Sequence, residues 1–210
     1  TPTENARSLS VGTSEIKGKA VTGDGEPLSA PFSQDDCVIA EYEVKEYDDD
    51  DDDSGGSWKT VESGVKHTPF YVDDGTGRVR VRPEDEATYD LEPEDRTTTY
   101  VDSSERGPEP IRRFVESKNI GFPRNAPGKD NDRKYSQNLI KPDESVYVFG
   151  TAYPRDDAEG GDNAERLVVG MGEQTVSDGP MFLISDDEEK DLVGRRRWAL
   201  WRLPAGGAFL

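Results

Sequence analysis

The chain has 210 residues, enough for one domain with a packed core, but it is 34% charged, 31% hydrophobic and carries a net charge of −19. That balance argues against nucleic-acid binding, which wants a basic stripe. One cysteine excludes an internal disulfide, and one histidine excludes a Cys/His zinc cluster supplied within the chain.

An acidic disordered chain would share this composition, but here the apolar residues gather into short runs separated by turn residues. A halophilic source accounts for it better: dense carboxylates keep a protein hydrated where molar salt screens their repulsion, and arginine outnumbers lysine, of which there are ten. The chain starts without Met or a leader pattern, which fits a segment excised from a longer protein. No run reaches the roughly 20 apolar residues that span a bilayer.

In chain order, residues 1–14 read as a polar, loosely held lead-in. Glu15 to Val21 alternates as a strand, with Gly18 where a bend or close approach would be tolerated. Leu28 to Phe32 leads into a strand over Cys37–Val44. Six consecutive aspartates, Asp48 to Asp53, form a solvated tip, and Trp58 to Glu62 returns as a strand. Phe70 to Val72 and the alternating Arg78–Arg82 segment flank Asp73-Asp74-Gly75-Thr76-Gly77, the pattern of a β-hairpin. Thr97 to Val101 is a short strand.

Residues 110–119 read as a helix: Pro110 suits its first turn, Ile111, Phe114, Val115 and Lys118 share a face, and Gly121 follows its end. Arg133 to Ile140 precedes a turn, and Ser145 to Tyr153 is the most strand-like run. Val148-x-Gly150-x-Ala152 echoes Ile16-x-Gly18-x-Ala20, as two curled strands in equivalent barrel positions would. A second acidic tip covers 156–163. Arg166–Gly170 and Met181–Ile184 are expected to form a last hairpin. Ser185 and Glu188 make a capping box for a helix over 186–202. Residues 204–210, after Trp198 and Trp201, read as the start of a truncated transmembrane segment or as a docked amphipathic end.

The expected fold is mainly β (α+β), a curled antiparallel sheet or partly open barrel with a middle helix and a C-terminal helix. A single domain over 15–203 follows.

Candidate chemistry is sparse. His67 has no nucleophile at a suggestive spacing, and Cys37 reads as a packed thiol. Gly75-x-Gly77 precedes a strand and not a helix, so it is no phosphate loop. The aspartate run is a possible cation module, but adjacent carboxylates repel and lack interleaved turn residues. Arg78, Arg80 and Arg82, with Arg112 and Arg113 on the helix, stand out in so acidic a chain. They either bind a partner or pair with neighbouring carboxylates; the same choice applies to Arg133, Lys134 and Tyr135.

The ordered set Ile16-Lys17-Gly18-Lys19-Ala20, Leu28–Phe32, Tyr42-Glu43-Val44, Trp58, Pro69 to Gly77, Arg133-Lys134-Tyr135-Ser136-Gln137 and Val146–Gly150 resembles the GIDE, or "beside a membrane", domain. That domain separates the two transmembrane helices of mitochondrial RING-type ubiquitin ligases and has prokaryotic relatives, haloarchaeal ones included. Gln137 stands where the family commonly has Glu. Ligase activity in that family belongs to a zinc-binding RING, whose Cys and His ligands this chain cannot supply, so a ligase label would be inherited from the family name.

The resemblance implies a non-catalytic, membrane-anchored interaction or scaffold domain with no cofactor and no metal. Its partner would be a protein, with membrane lipids as a second class and nucleic acid excluded. The alternatives are an accessory domain of a ligase-like transferase and a cation-binding module.

Overall fold

A computed structural model describes residues 4–23, 25–48, 56–121, 132–155, 163–172 and 182–186. Along the chain the described elements are β1 (Gly12–Thr22), β2 (Leu28–Ser29), β3 (Asp36–Cys37), β4 (Ile39–Asp48), β5 (Ser57–His67), β6 (Phe70–Asp73) and β7 (Arg78–Val81). There follow β8 (Thr88–Asp90), β9 (Thr97–Val101), α1 (Glu109–Lys118), β10 (Arg133–Ile140), β11 (Ser145–Pro154), β12 (Leu167–Gly170) and β13 (Leu183–Ser185). The fold is mainly β, with one short α-helix among the described residues.

Five strands close on themselves in the order β1-β6-β7-β12-β11, because β11 also pairs with β1. The ring is mixed: β7 and β12 run parallel, and so do β8 and β13 outside it. The mainly β fold expected from the sequence, a curled antiparallel sheet or partly open barrel, is thus present as a closed barrel of mixed strand direction. Period-two alternation fills its interior with Ile16, Ala20, Phe70, Val72, Val79, Val81, Val146, Val148 and Val169, all wholly buried.

The expected hairpin over 70–82 is present, with Phe70 opposite Val81 and Val72 opposite Val79. The expected last hairpin is not. β12 pairs with β11 at Thr151–Pro154, and β13 pairs with β11 at Tyr147–Phe149. The ten-residue β11 is long enough to seat both strands in turn along one edge, so neither needs the other.

The lead-in is also held more firmly than its polarity suggested. Ala6 and Leu9 are buried in the barrel core, and the Ala6 amide donates to Asp74 Oδ2 at 2.7 Å. β1 begins at Gly12, three residues before the expected start.

A second, four-stranded sheet runs β5-β4-β10-β9. Ile39 and Ile140, paired across β4 and β10, enter the barrel core and anchor one end of this sheet. Helix α1 covers one face of the other end. Its Ile111, Phe114 and Val115 pack with Phe32, Tyr42, Val44, Val101 and Tyr135, and Phe32 and Tyr42 meet Phe114 edge-on at 4.9 and 5.0 Å. Asn119, in the left-handed conformation at φ 54°, ends the helix.

All but the first residue of the helix expected over 186–202, the membrane entry over 204–210, the aspartates after Asp48 and nearly all of the 156–163 tip lie outside the described residues. No helix among the described residues is long and apolar enough to cross a membrane.

Candidate interaction surface

The arginines singled out in the sequence occupy two layers. Arg78, Arg80 and Arg82 line the outer side of β7 and its exit from the barrel. Arg112 and Arg113 sit on the solvent side of α1, over the second sheet. Each has local company. Arg78 Nε donates to Asp73 Oδ2 at 2.9 Å, clasping the hairpin turn. Arg82 lies 3.3 Å from Glu84 and 5.9 Å from the Tyr153 ring centre. Half-buried Arg80 is opposite Tyr71 in the β6–β7 register. Arg112 donates to the Gly107 carbonyl at 3.2 Å, and Arg113 pairs with Glu109 one helical turn back. The Arg78, Arg82 and Arg113 side chains remain well exposed. Exposed ion pairs are worth only about 0–1 kcal/mol, so a stronger anion could displace the local carboxylates.

Arg113 has a further setting. With Lys66, Pro31, Pro110, Phe114 and Ser33 it lines a groove of about 270 Å³ between α1 and the loop after β2. Lys66 Nζ lies 5.5 Å from the Phe114 ring centre, so the groove combines two cations with an aromatic floor. The loop wall is fixed by Gln137, whose Oε1 accepts from the Phe32 amide at 2.9 Å and whose Nε2 donates to Ser33 Oγ at 3.1 Å. The position that departs from the family pattern thus holds the groove's wall.

Arg133 is a different case. It is only 5% exposed, its guanidinium reaches Glu46 at 2.6 and 2.7 Å and the Gly121 carbonyl at 2.7 Å. It ties the start of β10 to β4 and to the segment after α1, which is the pairing alternative.

Lys134, its neighbour, points to the opposite face and exposes what the sequence did not show. The register places Tyr47 opposite Trp58 and Tyr100 opposite Lys134. Trp58 consequently lies between Tyr47 at 5.3 Å and Tyr100 at 6.3 Å, with Lys134 Nζ 4.4 Å from its ring centre. Tyr100 is 70% exposed. These four residues come from four strands and three distant segments, so their meeting depends on sheet order. Aromatic residues with an adjacent cation, displayed on an open sheet face, are the usual stuff of binding hot spots.

The remaining candidates are occupied. His67 Nε2 lies 3.0 Å from Asp85 and the ring stacks on Tyr89. Cys37 is wholly buried; burial, then Asp36 and Asp35, push its thiol up to about 11, far from a reactive thiolate. A cleft of about 410 Å³ holds Asp35, Asp95, Glu144 and Asp186, but three of these are engaged. Asp35 pairs with Lys141 at 3.1 Å, Glu144 accepts from the Lys141 amide, and Asp186 accepts from the Glu92 amide. No group of three or more metal-ligating side chains is present among the described residues.

Comparison with known proteins agrees with the resemblance seen in the sequence. Residues 41–161 match the family model of GIDE, described as an E3 ubiquitin ligase. No curated protein and no solved structure matches the chain. The matched segment runs from β4 to β11 and includes the aromatic corner, α1 and the arginines, and, as it covers more than half of the 210 residues, the chain belongs to the GIDE family.

Proposed function

We propose that this chain is a non-catalytic interaction domain of a membrane-anchored protein, and that it holds a partner protein beside the membrane. The observation that carries this reading is the Tyr47–Trp58–Tyr100–Lys134 corner. It is a cationic aromatic patch displayed on an open sheet face of a domain whose charge is otherwise strongly negative. Arg78, Arg80 and Arg82 on the barrel, and Arg112 and Arg113 beside the groove on α1, extend the positive groups available to such a partner. A family that takes its description from ubiquitin ligases makes an accessory role beside a transferase the second reading. The acidic surface fits a halophilic setting, where solvent salt screens every weak surface pair and leaves aromatic and cation–π contacts as the durable ones.

A photo-crosslinking side chain in place of Trp58, introduced into the membrane-anchored protein in its own cells, tests this. The expected result is one discrete adduct of higher mass. The same probe in place of exposed Val11, on the barrel, should give none. Adducts to lipid alone would move the proposal to the membrane surface. No adduct from position 58, or equal yields from both positions, would overturn it.

A further inference from the structure

The two edges of the four-stranded sheet differ in chemistry. β5 carries Lys59, Glu62 and Lys66, and a bulge at Val44/Lys45 interrupts its register with β4. Charges and bulges are how edge strands resist pairing with other chains. β9 has neither. It reads Thr97-Thr98-Thr99-Tyr100-Val101, without charge or proline, in an uninterrupted five-residue register with β10. Among the described residues β10 is its only strand partner, which leaves its other side as a sheet edge.

We propose that β9 is a homotypic docking edge, on which a second copy of this chain pairs antiparallel about a two-fold axis at Thr99. Such an interface must be self-complementary, and the sequence around Thr99 is. The axis places Thr98 opposite the partner's Tyr100 and Thr97 opposite the partner's Val101, pairs of β-branched and aromatic side chains that favour antiparallel ladders. It also places Arg96 opposite the partner's Asp102, twice by symmetry, at both ends of the ladder. Arg96 in the single chain reaches back to Glu41 and Glu43 at 3.6 and 3.5 Å and Asp102 accepts from Ser104, so these side chains exchange partners on docking. A slip of one residue sets Asp95 against the partner's Asp102 in one direction and Arg96 against the partner's Ser103 in the other, so either slip loses that attraction. The pairing joins two four-stranded sheets into one and covers part of Tyr100, the most exposed large apolar side chain among the described residues. The net charge of −19 opposes association at low salt, so the dimer belongs to molar salt.

Sedimentation of the purified chain over a concentration series in molar KCl tests the inference without any partner protein, and so independently of the function proposed above. The mass should rise from that of the monomer towards twice that value. Thr99→Lys and Thr99→Glu, each confirmed as folded by circular dichroism, should each stay monomeric, because the axis sets like charges face to face. Their equimolar mixture should recover the dimer. Facing residues in an antiparallel ladder have Cα atoms about 4.5–5.5 Å apart, within disulfide reach. Thr99→Cys should therefore cross-link at least about tenfold faster than Ser63→Cys on the opposite edge. A monomer at every concentration, or equal cross-linking at the two positions, overturns the proposal.

Discussion

Ile16 and Val148 face each other directly across β1 and β11, both wholly buried, and each is followed two residues later by a glycine. The repeated Ile-x-Gly-x-Ala and Val-x-Gly-x-Ala pattern is therefore a pair of antiparallel strands related by a local two-fold, not two strands elsewhere in the ring. Both glycines give way to another part of the barrel. A Cβ at Gly18 would lie 2.4 Å from the Asp73 carbonyl oxygen. At Gly150 it would lie 2.8 Å from Phe182 and 2.9 Å from the Gly170 carbonyl oxygen. Backbone atoms at those distances cannot rotate away.

Gly18→Ala and Gly150→Ala are accordingly expected to lower stability by about 1–3 kcal/mol each, the scale of overpacking in a closed core. Gly25→Ala serves as a control, since nothing lies within 4 Å of its added Cβ. Denaturant melts of the three variants would check this. Equal midpoints would mean that the barrel tolerates the added methyl groups.

Asp74 organises the hairpin turn and the lead-in together. It accepts from the amides of Ala6, Thr76 and Gly77 and from the Thr76 hydroxyl, at 2.7 to 3.1 Å. Burial pushes its carboxyl up, but those donors outweigh it and hold it below the usual carboxylate range. Asp73 is lowered as well, first by the Gly75 amide and then by Arg78. Both groups have folded-state values below their unfolded ones. Their contribution is thus complete above the ordinary range, near pH 4, and is lost as pH falls through the depressed values. Asp74→Ala should cost about 1–3 kcal/mol at neutral pH and flatten the acid limb of the stability profile. A variant as acid-sensitive as the parent would contradict this.

Much of this architecture was legible in the sequence, and the failures have physical causes. The 70–82 hairpin, α1 and the strand character of β11 follow from local periodicity and turn residues, which act within a few positions. A β12–β13 hairpin does not form, and local pattern cannot tell: two adjacent apolar runs look alike whether they pair with each other or with a third strand. The firm lead-in has no local signature because its anchor, Asp74, lies 68 residues away from Ala6. Lys134 and Trp58 likewise share no local pattern. Their contact is set by the order β5-β4-β10-β9. Arg133 and Lys134 are chemically alike as neighbours in the sequence, yet strand alternation buries one against Glu46 and lays the other on an indole.

Arg133 should therefore behave as a structural residue. Glu46→Ala leaves a guanidinium in a nearly dry site without its carboxylate, still held by the Gly121 carbonyl. Fully buried pairs cost about 3–5 kcal/mol to break in this way, and the partial exposure of Glu46 places the expected loss nearer 2–3 kcal/mol. Adding Arg133→Met to Glu46→Ala removes the stranded charge and should recover much of that loss. Urea midpoints of the single and double variants decide it: a double variant less stable than Glu46→Ala would show that Arg133 contributes beyond its ion pair.

The charge balance gives the last prediction. With 45 acidic residues against 26 basic ones, the folded chain concentrates repulsion that the unfolded chain can spread apart. The Debye length falls from about 30 Å at 0.01 M salt to about 3 Å at 1 M, so long-range repulsion across the barrel is felt at low salt and is nearly gone at molar salt. The same screening weakens attractive surface pairs such as Arg78–Asp73 and Lys118–Glu62. Those pairs are individually small, and the excess of nineteen negative charges makes the repulsive sum the larger. Thermal midpoints of dilute protein, below any association, should climb steadily from low salt towards molar KCl. Sodium chloride should act similarly, since the effect is ionic strength and not a bound ion. A flat series, or a midpoint that falls as salt rises, would mean that local ion pairs dominate and would remove the argument for a halophilic setting.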